Sequence, residues 1–483
     1  MELPQDISSL TALVYRLLER IEKLEADNAQ LKADNAALRA ENASLKAENK
    51  ELKARLAQNS SNSHKPPSGE GYHKKPALPK ATGKKQGGQP GHRGNTLQMA
   101  CQVDQVVECK PQVCSCGATL SAGLLRVVES RQVFDLPQPK LEVIEYRRMS
   151  GSCAACGAQG SGSFPSQVIA PVQYGPGVAA LAVLLNNACQ VSFHKVSVLF
   201  SDLFACPINT ATLLKANRQV YESLEQSEQL IKEGLKQAEV AHFDETGIRV
   251  EGRLHWLHTC ANQDYSYLFV DCHRGQQALR SEKSILADFT GWAVHDCLGA
   301  YFTFSNCKHS VCGAHLLREL EALIEAGSLW AISMKELLLS LYEHSKQGKD
   351  RVGYFAYWQA LYHDFCQQGL REEPLPEGAA KAKPKKTKGR NLLDRLLKYK
   401  DPVLAFAQYK VVPFTNNQAE RDLRPAKGKL KVAGCFRTCN GAATYARIQG
   451  FIATCRKQQQ NLFHQLKNAL SGHTFLTNPA LAT

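Results

Sequence analysis

Residues 239–271 read EVAHFDETGIRVEGRLHWLHTCANQDYSYLFVD. Three runs of apolar, β-branched and aromatic residues, near Val240, Leu254 and Tyr267, are separated by a glycine turn and by the turn-forming NQD. That pattern predicts a meander of three antiparallel strands. One acid, Asp244, interrupts the first run. A carboxylate inside an apolar strand is costly unless it is paired or binds a metal, so Asp244 needs a partner from elsewhere in the chain.

A helical stretch, GQQALRSEKSIL from Gly275, comes next, and then a further strand, GWAVHDCLGAY from Gly291. Three antiparallel strands, a helix and a parallel strand form the opening order of the ribonuclease H fold. In that order Asp244 lies in the first strand and Asp296 at the end of the fourth, and adjacent parallel strands can bring both carboxylates to one metal site. The plainer readings are a partner arginine for Asp244 and a turn-capping role for Asp296. A metal site of this kind requires a third acid.

TNNQAERDLRP, residues 415–425, offers Glu420. Thr415 followed three residues later by Gln418 is a capping-box pattern, which predicts a helix start and puts Glu420 on its second turn. Asn417, Glu420 and Arg424 then share one face. An acid in this company can ligate a cation while Arg421, Arg424 and Lys427 hold phosphate oxygens. A surface helix with a Glu420–Arg424 ion pair fits the same letters, and the stretch alone does not choose.

The net charge of +14 and the apolar share of 43% describe a globular chain suited to a polyanionic partner. No basic amphipathic segment points to a membrane instead. The start, MELPQDISSL, lacks the features of a secretory signal, and the longest apolar run, VAALAVLL from Val178, is too short to span a bilayer. A cytoplasmic location is expected. The 17 cysteines are then reduced, and paired ones read as metal ligands.

Leu17, Leu24, Leu31, Leu38, Leu45 and Leu52 repeat every seven residues, with Ile21, Asn28, Asn35, Asn42 and Asn49 at the other core position. This predicts a coiled coil over residues 1–58. Its asparagines favour two parallel strands and a specific, moderately stable homodimer; the alternative is a single charged helix packed on its own protein. Residues 59–100 form a Pro-, Gly- and Ser-rich basic linker without regular structure. Its Lys74, Lys75, Lys84, Lys85 and Arg93 read as phosphate contacts, or as parts of a solvated tether.

CSCG, with Cys114 and Cys116, and CAACG, with Cys153 and Cys156, flank strand-like alternation. Two such pairs predict a zinc-ribbon-like module over 101–170 with a structural Zn²⁺. The first pair is one residue short of the usual spacing; buried free cysteines are the alternative. Residues 171–236 read as helices, the third opening after CPINTAT with Asn209 or Thr210 as cap, and fit a helix-turn-helix or a helical spacer. CGAHLLREL, from Cys312, carries Cys312 and His315 at C-x-x-H spacing without a second half nearby. It reads as a helix start packed behind the acids, with Arg318 facing DNA.

Taken together, the leucine-zipper start, NSSNSHKPPS with GGQPGHRG, the cysteine pairs, HFDETG, HDCLGAY, CGAHLLRELE, TNNQAERDLRP and KVAGCFRTCNGAATYARIQGFIATCRKQQQN run in order along nearly the whole chain. In these pieces the chain resembles transposases of the insertion-sequence-66 family, a branch of the DDE transposases. The resemblance implies a ribonuclease H-like α/β catalytic domain over 237–325 and 411–427, interrupted by an all-helical insertion over 326–410 and followed by a helical segment, 428–483. It assigns Asp244, Asp296 and Glu420 as the catalytic acids, with Glu245 a bystander on the other side of the strand; Asp422 reads as an equal charge beside them that supplies no ligand. It also implies two Mg²⁺ ions, replaceable by Mn²⁺, about 3.5–4 Å apart. The implied partners are the terminal inverted repeats of the element, target DNA and small accessory proteins, and the implied setting is the bacterial nucleoid. A DNA-binding regulator on a decayed nuclease and a zinc-dependent hydrolase remain as alternatives. Intact acids at all three positions count against the first, and the absence of H-E-x-x-H counts against the second.

Overall fold

The computed structural model describes residues 7–56, 58, 62, 97–110, 116, 125–347, 355–375 and 386–477. Lys74, Lys75, Lys84, Lys85, Arg93 and Cys114 lie outside the described residues. The chain divides into two compact units, one built on Leu224–Leu462, the other within Tyr72–Ser223 and Phe463–His473. Among the described residues no helix is long and apolar enough to cross a membrane.

The heptad stretch is one uninterrupted helix, α1 (Ile7–Leu56). Its leucine row is half exposed, from 46% at Leu52 to 62% at Leu38.

In the second unit, β1 (Ser150–Ser152) and β2 (Gln159–Ser161) form an antiparallel hairpin, and CAACG makes its turn. Gly157 takes φ +76° there, a conformation that disfavours a side chain. Three helices follow. The first, α2 (Pro176–Val183), starts on proline and runs into a π-helical turn, Leu184–Ala188. Next come α3 (Phe193–Phe204), capped by Ser192, and α4 (Thr210–Ser223). Asn209 caps α4, its Oδ1 accepting from the Ala211 amide at 2.9 Å. Ala182, Val196, Phe200, Ile208 and Leu213 form their common core.

The first unit opens with α5 (Glu225–Lys236). Then β3 (Val240–Val250), β4 (Arg253–Ala261) and β5 (Ser266–Asp271) pair antiparallel. The expected long helix from Gly275 is only α6 (Gln276–Leu279). Serines explain the difference: Ser281 Oγ donates to Ala278 O at 2.7 Å and Ser284 Oγ accepts the Leu286 amide at 3.2 Å, local bonds that compete with helix propagation. β6 (Trp292–His295) adds to β3 in parallel, and β7 (Lys308–Val311), not foreseen from the sequence, adds parallel to β6. The sheet order is β5-β4-β3-β6-β7.

Alternation along β3 separates two layers. Ala241 and Phe243 face a core with Phe289, Tyr301 and residues of α5, whereas Ile248 and Val250 face Leu423, Ala426, Ala442 and Tyr445. The latter belong to α12 (Asn417–Ala433) and α13 (Cys439–Lys457). Thus α12 runs past residue 427, and α13 packs on the same sheet. Between β7 and α12 come α7 (Gly313–Glu325), α8 (Leu329–Lys346), α9 (Phe355–Glu372), α10 (Lys388–Lys398) and α11 (Lys400–Gln408). They share one core, centred on Trp330, Tyr362 and Leu393, with Val311 of β7.

Candidate active site

Asp244 sits in β3 on the face that meets α12, directly across from Thr259 of β4. The parallel register pairs Val240 with Trp292, Ala241 with Ala293 and His242 with Val294. The same offset continues to Asp244 and Asp296, so the second acid emerges from the end of β6 beside the first. Leu298 donates its amide to Asp296 Oδ1 at 2.9 Å, and buried His295 donates from Nδ1 to the Asp296 carbonyl.

Glu420 arrives from α12, and Asn416 anchors that helix. Asn416 is fully buried. Its Nδ2 donates to Phe243 O at 2.7 Å, and its Oδ1 accepts from His242 Nδ1 at 2.9 Å. The Asn416 amide meets Cys312 Sγ at 3.1 Å. Three elements, β3, α7 and α12, are thereby joined at one residue, next to two of the acids. Burial lowers the His242 pKa to about 4, so the ring is neutral and its proton sits on the nitrogen that faces Asn416.

This arrangement corrects the expected capping box. The helix begins at Asn417 with no side-chain cap, and Glu420 is in its first turn. Gly313 also has to be glycine-sized, because a Cβ there would come within 2.2 Å of the Phe414 ring.

The acids influence one another. Asp244 is held well above the usual carboxylate range, first by burial and then by the charges of Glu245, Asp296 and Glu420. Burial and Glu245 likewise raise Asp296, against the opposing pull of His315 and Arg274. Among the described residues Glu420 Oε1, a buried atom, receives no hydrogen bond. Arg318 and the His315 ring each approach it to 3.7 Å. The fold therefore gathers all three acids, and in place of the alternative Glu420–Arg424 pair the guanidinium beside Glu420 is Arg318 of α7.

Glu245 is on the opposite face, as expected, but is tightly engaged. Its carboxylate accepts from Arg274 Nε at 2.8 Å and from the Tyr301 hydroxyl at 2.7 Å. Arg274 also reaches Asp296 at 3.9 Å and lies over Trp256. Asp422 is buried against Lys457, so neither acid is a neutral bystander. Lys427 donates to Gly247 O at 2.9 Å. Arg421 and Arg424 are exposed.

Cys312, His315 and Glu420 place donor atoms within 4.8 Å of one another, so the carboxylate stands where the second half of C-x-x-H was missing. Burial raises the Cys312 thiol to about 11, which favours the neutral thiol and a structural role. In the hairpin turn, hydrogen bonds from the Cys156 and Ala155 amides lower the Cys153 thiol; Cys116 and Cys156 are exposed.

Metal-free protein carrying Asp244→Asn is expected to melt above wild type at neutral pH. Because the folded Asp244 value lies above the ordinary 3.8, the neutral carboxyl contributes stability below that value, and this is lost as pH rises through the folded value. The melting gain of the variant should therefore shrink towards pH 4. Scanning fluorimetry in a chelator would check this, and a gain independent of pH would refute the cost of a buried, repelled charge as its source.

No curated protein matches this chain. The description "Family of unknown function (DUF6444)" matches residues 12–98, the stretch that contains most of α1. The description "Transposase IS66 family" matches residues 171–444, from the helices before the sheet through all three acids, more than half of the chain. The chain belongs to the IS66 family of transposases.

Proposed function

We propose that the chain is a DDE transposase with a ribonuclease H-like catalytic domain. It binds the terminal inverted repeats of an insertion sequence, cleaves a strand at each end and transfers the freed 3′-hydroxyl to target DNA. The observation that carries this reading is the convergence of Asp244, Asp296 and Glu420: after burial and Glu245, the charges of Asp296 and Glu420 help to raise Asp244. The mixed sheet with β3 at its centre supports the fold assignment.

Three mutually repelling carboxylates and a buried Glu420 oxygen without a hydrogen bond suit divalent cations. Asp244, Asp296 and Glu420 would hold them. Bound Mg²⁺ or Mn²⁺ supplies Lewis acidity to the nucleophile and the leaving oxygen. The chain itself positions the acids: Asn416 and His242 lock α12 to β3, and Arg274 steadies Glu245 beside Asp296. Arg318 and Arg274 keep 30% and 45% of their side chains exposed and bind phosphate oxygens of the cut strand. Arg421 and Arg424 extend that cationic track along α12.

Cys114, Cys116, Cys153 and Cys156 hold a structural Zn²⁺, a role supported by the lowered Cys153 thiol and the tight Gly157 turn. Two copies join through α1, so that two element ends can be handled together.

The test of the reading is release of a labelled strand from an element-end duplex in Mg²⁺ or Mn²⁺; no release in either, with DNA bound, would sink it. For DNA affinity, replacing Lys74, Lys75, Lys84, Lys85 and Arg93 with Gln should flatten the salt dependence of binding. Each lost phosphate contact removes about 0.9 from the slope. An unchanged slope would make the linker a spacer.

A further inference from the structure

The three acids stand at the foot of a strip made by β3 and α12. Asn416 ties the start of the helix to Phe243 O at 2.7 Å, and Lys427 ties its middle to Gly247 O at 2.9 Å. The loop after α12 is bound in turn to the β3–β4 hairpin. There the Phe436 amide donates to Arg249 O at 2.8 Å, and the Glu251 amide donates to Phe436 O at 2.9 Å. Helix and strand therefore climb together. From Asp244 to Val250 the strand rises about 20 Å, and from Glu420 to Ala433 the helix rises about 20 Å as well. The hairpin tip and the α12–α13 loop meet at the top as one platform.

Charge on this strip is one-sided. Over residues 245–255 and 421–440 the exposed cations are Arg249, Arg253, Arg421, Arg424, Lys431 and Arg437, against the exposed acid Glu251. Glu245 and Asp422 are buried against Arg274 and Lys457, so their charges are already matched. Among the described residues none of the six exposed cations is held in an ion pair; Arg249 donates to Gly252 O at 3.2 Å. Unmatched like charges fixed on a rigid surface repel one another, and a polyanion laid across them relieves that repulsion. The strip starts at the acids that face a phosphodiester, so the polyanion that fits is the same duplex, continued away from the cut.

We propose that Arg249, Arg253, Lys431 and Arg437 form a second DNA-binding surface, which holds backbone phosphates about six base pairs from the cut, the distance that 20 Å spans along a duplex. The proposal rests on the reading of the three acids as the cutting site and adds the direction in which the duplex leaves it. Contacts of this kind position the DNA without reading its bases.

The experiment combines Arg253→Gln, Lys431→Gln and Arg437→Gln in the full chain. All three side chains are exposed, and circular dichroism should report an unchanged fold. Gel shifts on an element-end duplex should show binding weakened at least about tenfold and a salt slope lowered by about three, since each phosphate contact contributes about 0.9. Hydroxyl-radical footprinting should lose protection about six base pairs from the element end and keep it at the end itself. Glu251→Gln should act in the opposite sense and tighten binding, an effect that a merely structural platform would not give. A triple variant with the wild-type slope and footprint would overturn the proposal, as would protection lost only at the element end. Wild type that shows the distant protection but cleaves no strand in Mg²⁺ or Mn²⁺ would uphold the surface and overturn the reading of the acids.

Discussion

Glu420→Gln is expected to reduce strand cleavage at least about a hundredfold while folding and DNA binding survive. The amide keeps the size of the side chain but loses the charge that attracts a divalent cation. Its contacts ask little of that charge: Oε1 accepts no hydrogen bond among the described residues, and Arg318 stands at 3.7 Å, an ion-pair distance too long for a hydrogen bond. Asp244→Asn and Asp296→Asn should cost comparable amounts. The double variants should be scarcely worse than the singles, because the acids act as one unit. Glu245→Gln is a poor control, since it would weaken the contacts with Arg274 and Tyr301; the exposed Glu282→Gln is better. Strand release in Mg²⁺ or Mn²⁺ and gel-shift binding in Ca²⁺ check the prediction together. Wild-type cleavage by Glu420→Gln would remove the residue from the site, and loss of binding along with cleavage would assign it to the fold.

Asp422→Asn, two residues along the same helix, is expected to act through stability. Lys457 Nζ lies 2.8 Å from Asp422 Oδ2, with side-chain exposures of 10% and 6%. The ammonium also donates to Tyr265 O at 2.8 Å, and Ser266 Oγ donates to Asp422. Asp422 therefore closes a network joining α12, α13 and the start of β5. Removing its charge leaves a buried ammonium uncompensated, a change that costs about 3–5 kcal/mol. Replacing both partners with apolar residues, Asp422→Leu with Lys457→Met, should recover much of the loss. Urea unfolding followed by tryptophan fluorescence would measure both. A single variant as stable as wild type would mean that Lys457 finds water or another acceptor.

The two residues show how far the letters reach. Glu420 and Asp422 are neighbours in a charged helix start, and nothing local marks one as an unbonded acid near two others and the other as a buried ion-pair partner. The three acids themselves were legible, Asp244 and Asp296 because each sits in or at the end of an apolar strand, Glu420 through the quoted motifs. Arg274 carried no signal, since its role depends on reaching Glu245 across a strand and Asp296 across a loop. Lys427 gave only part of its story, because no local pattern announces that its ammonium also donates to Gly247 O.

The sequence by itself determined several elements and their order, though not β7 or the shortness of α6: a seven-residue leucine period for α1, alternation and turn residues for β3–β5, and a short apolar run for β6. These are local patterns, with periods of two or seven residues or a single short run, and backbone geometry converts them directly into helix or strand. It did not determine how the acids are balanced. That depended on the register of β3 against β6, which sets Asp296 beside Asp244, and on Asn416, which bonds to residues 174 and 173 positions away. Only the tertiary structure decided those pairings, because a charge responds to whatever lies within a few ångströms of it in space, at any separation along the chain.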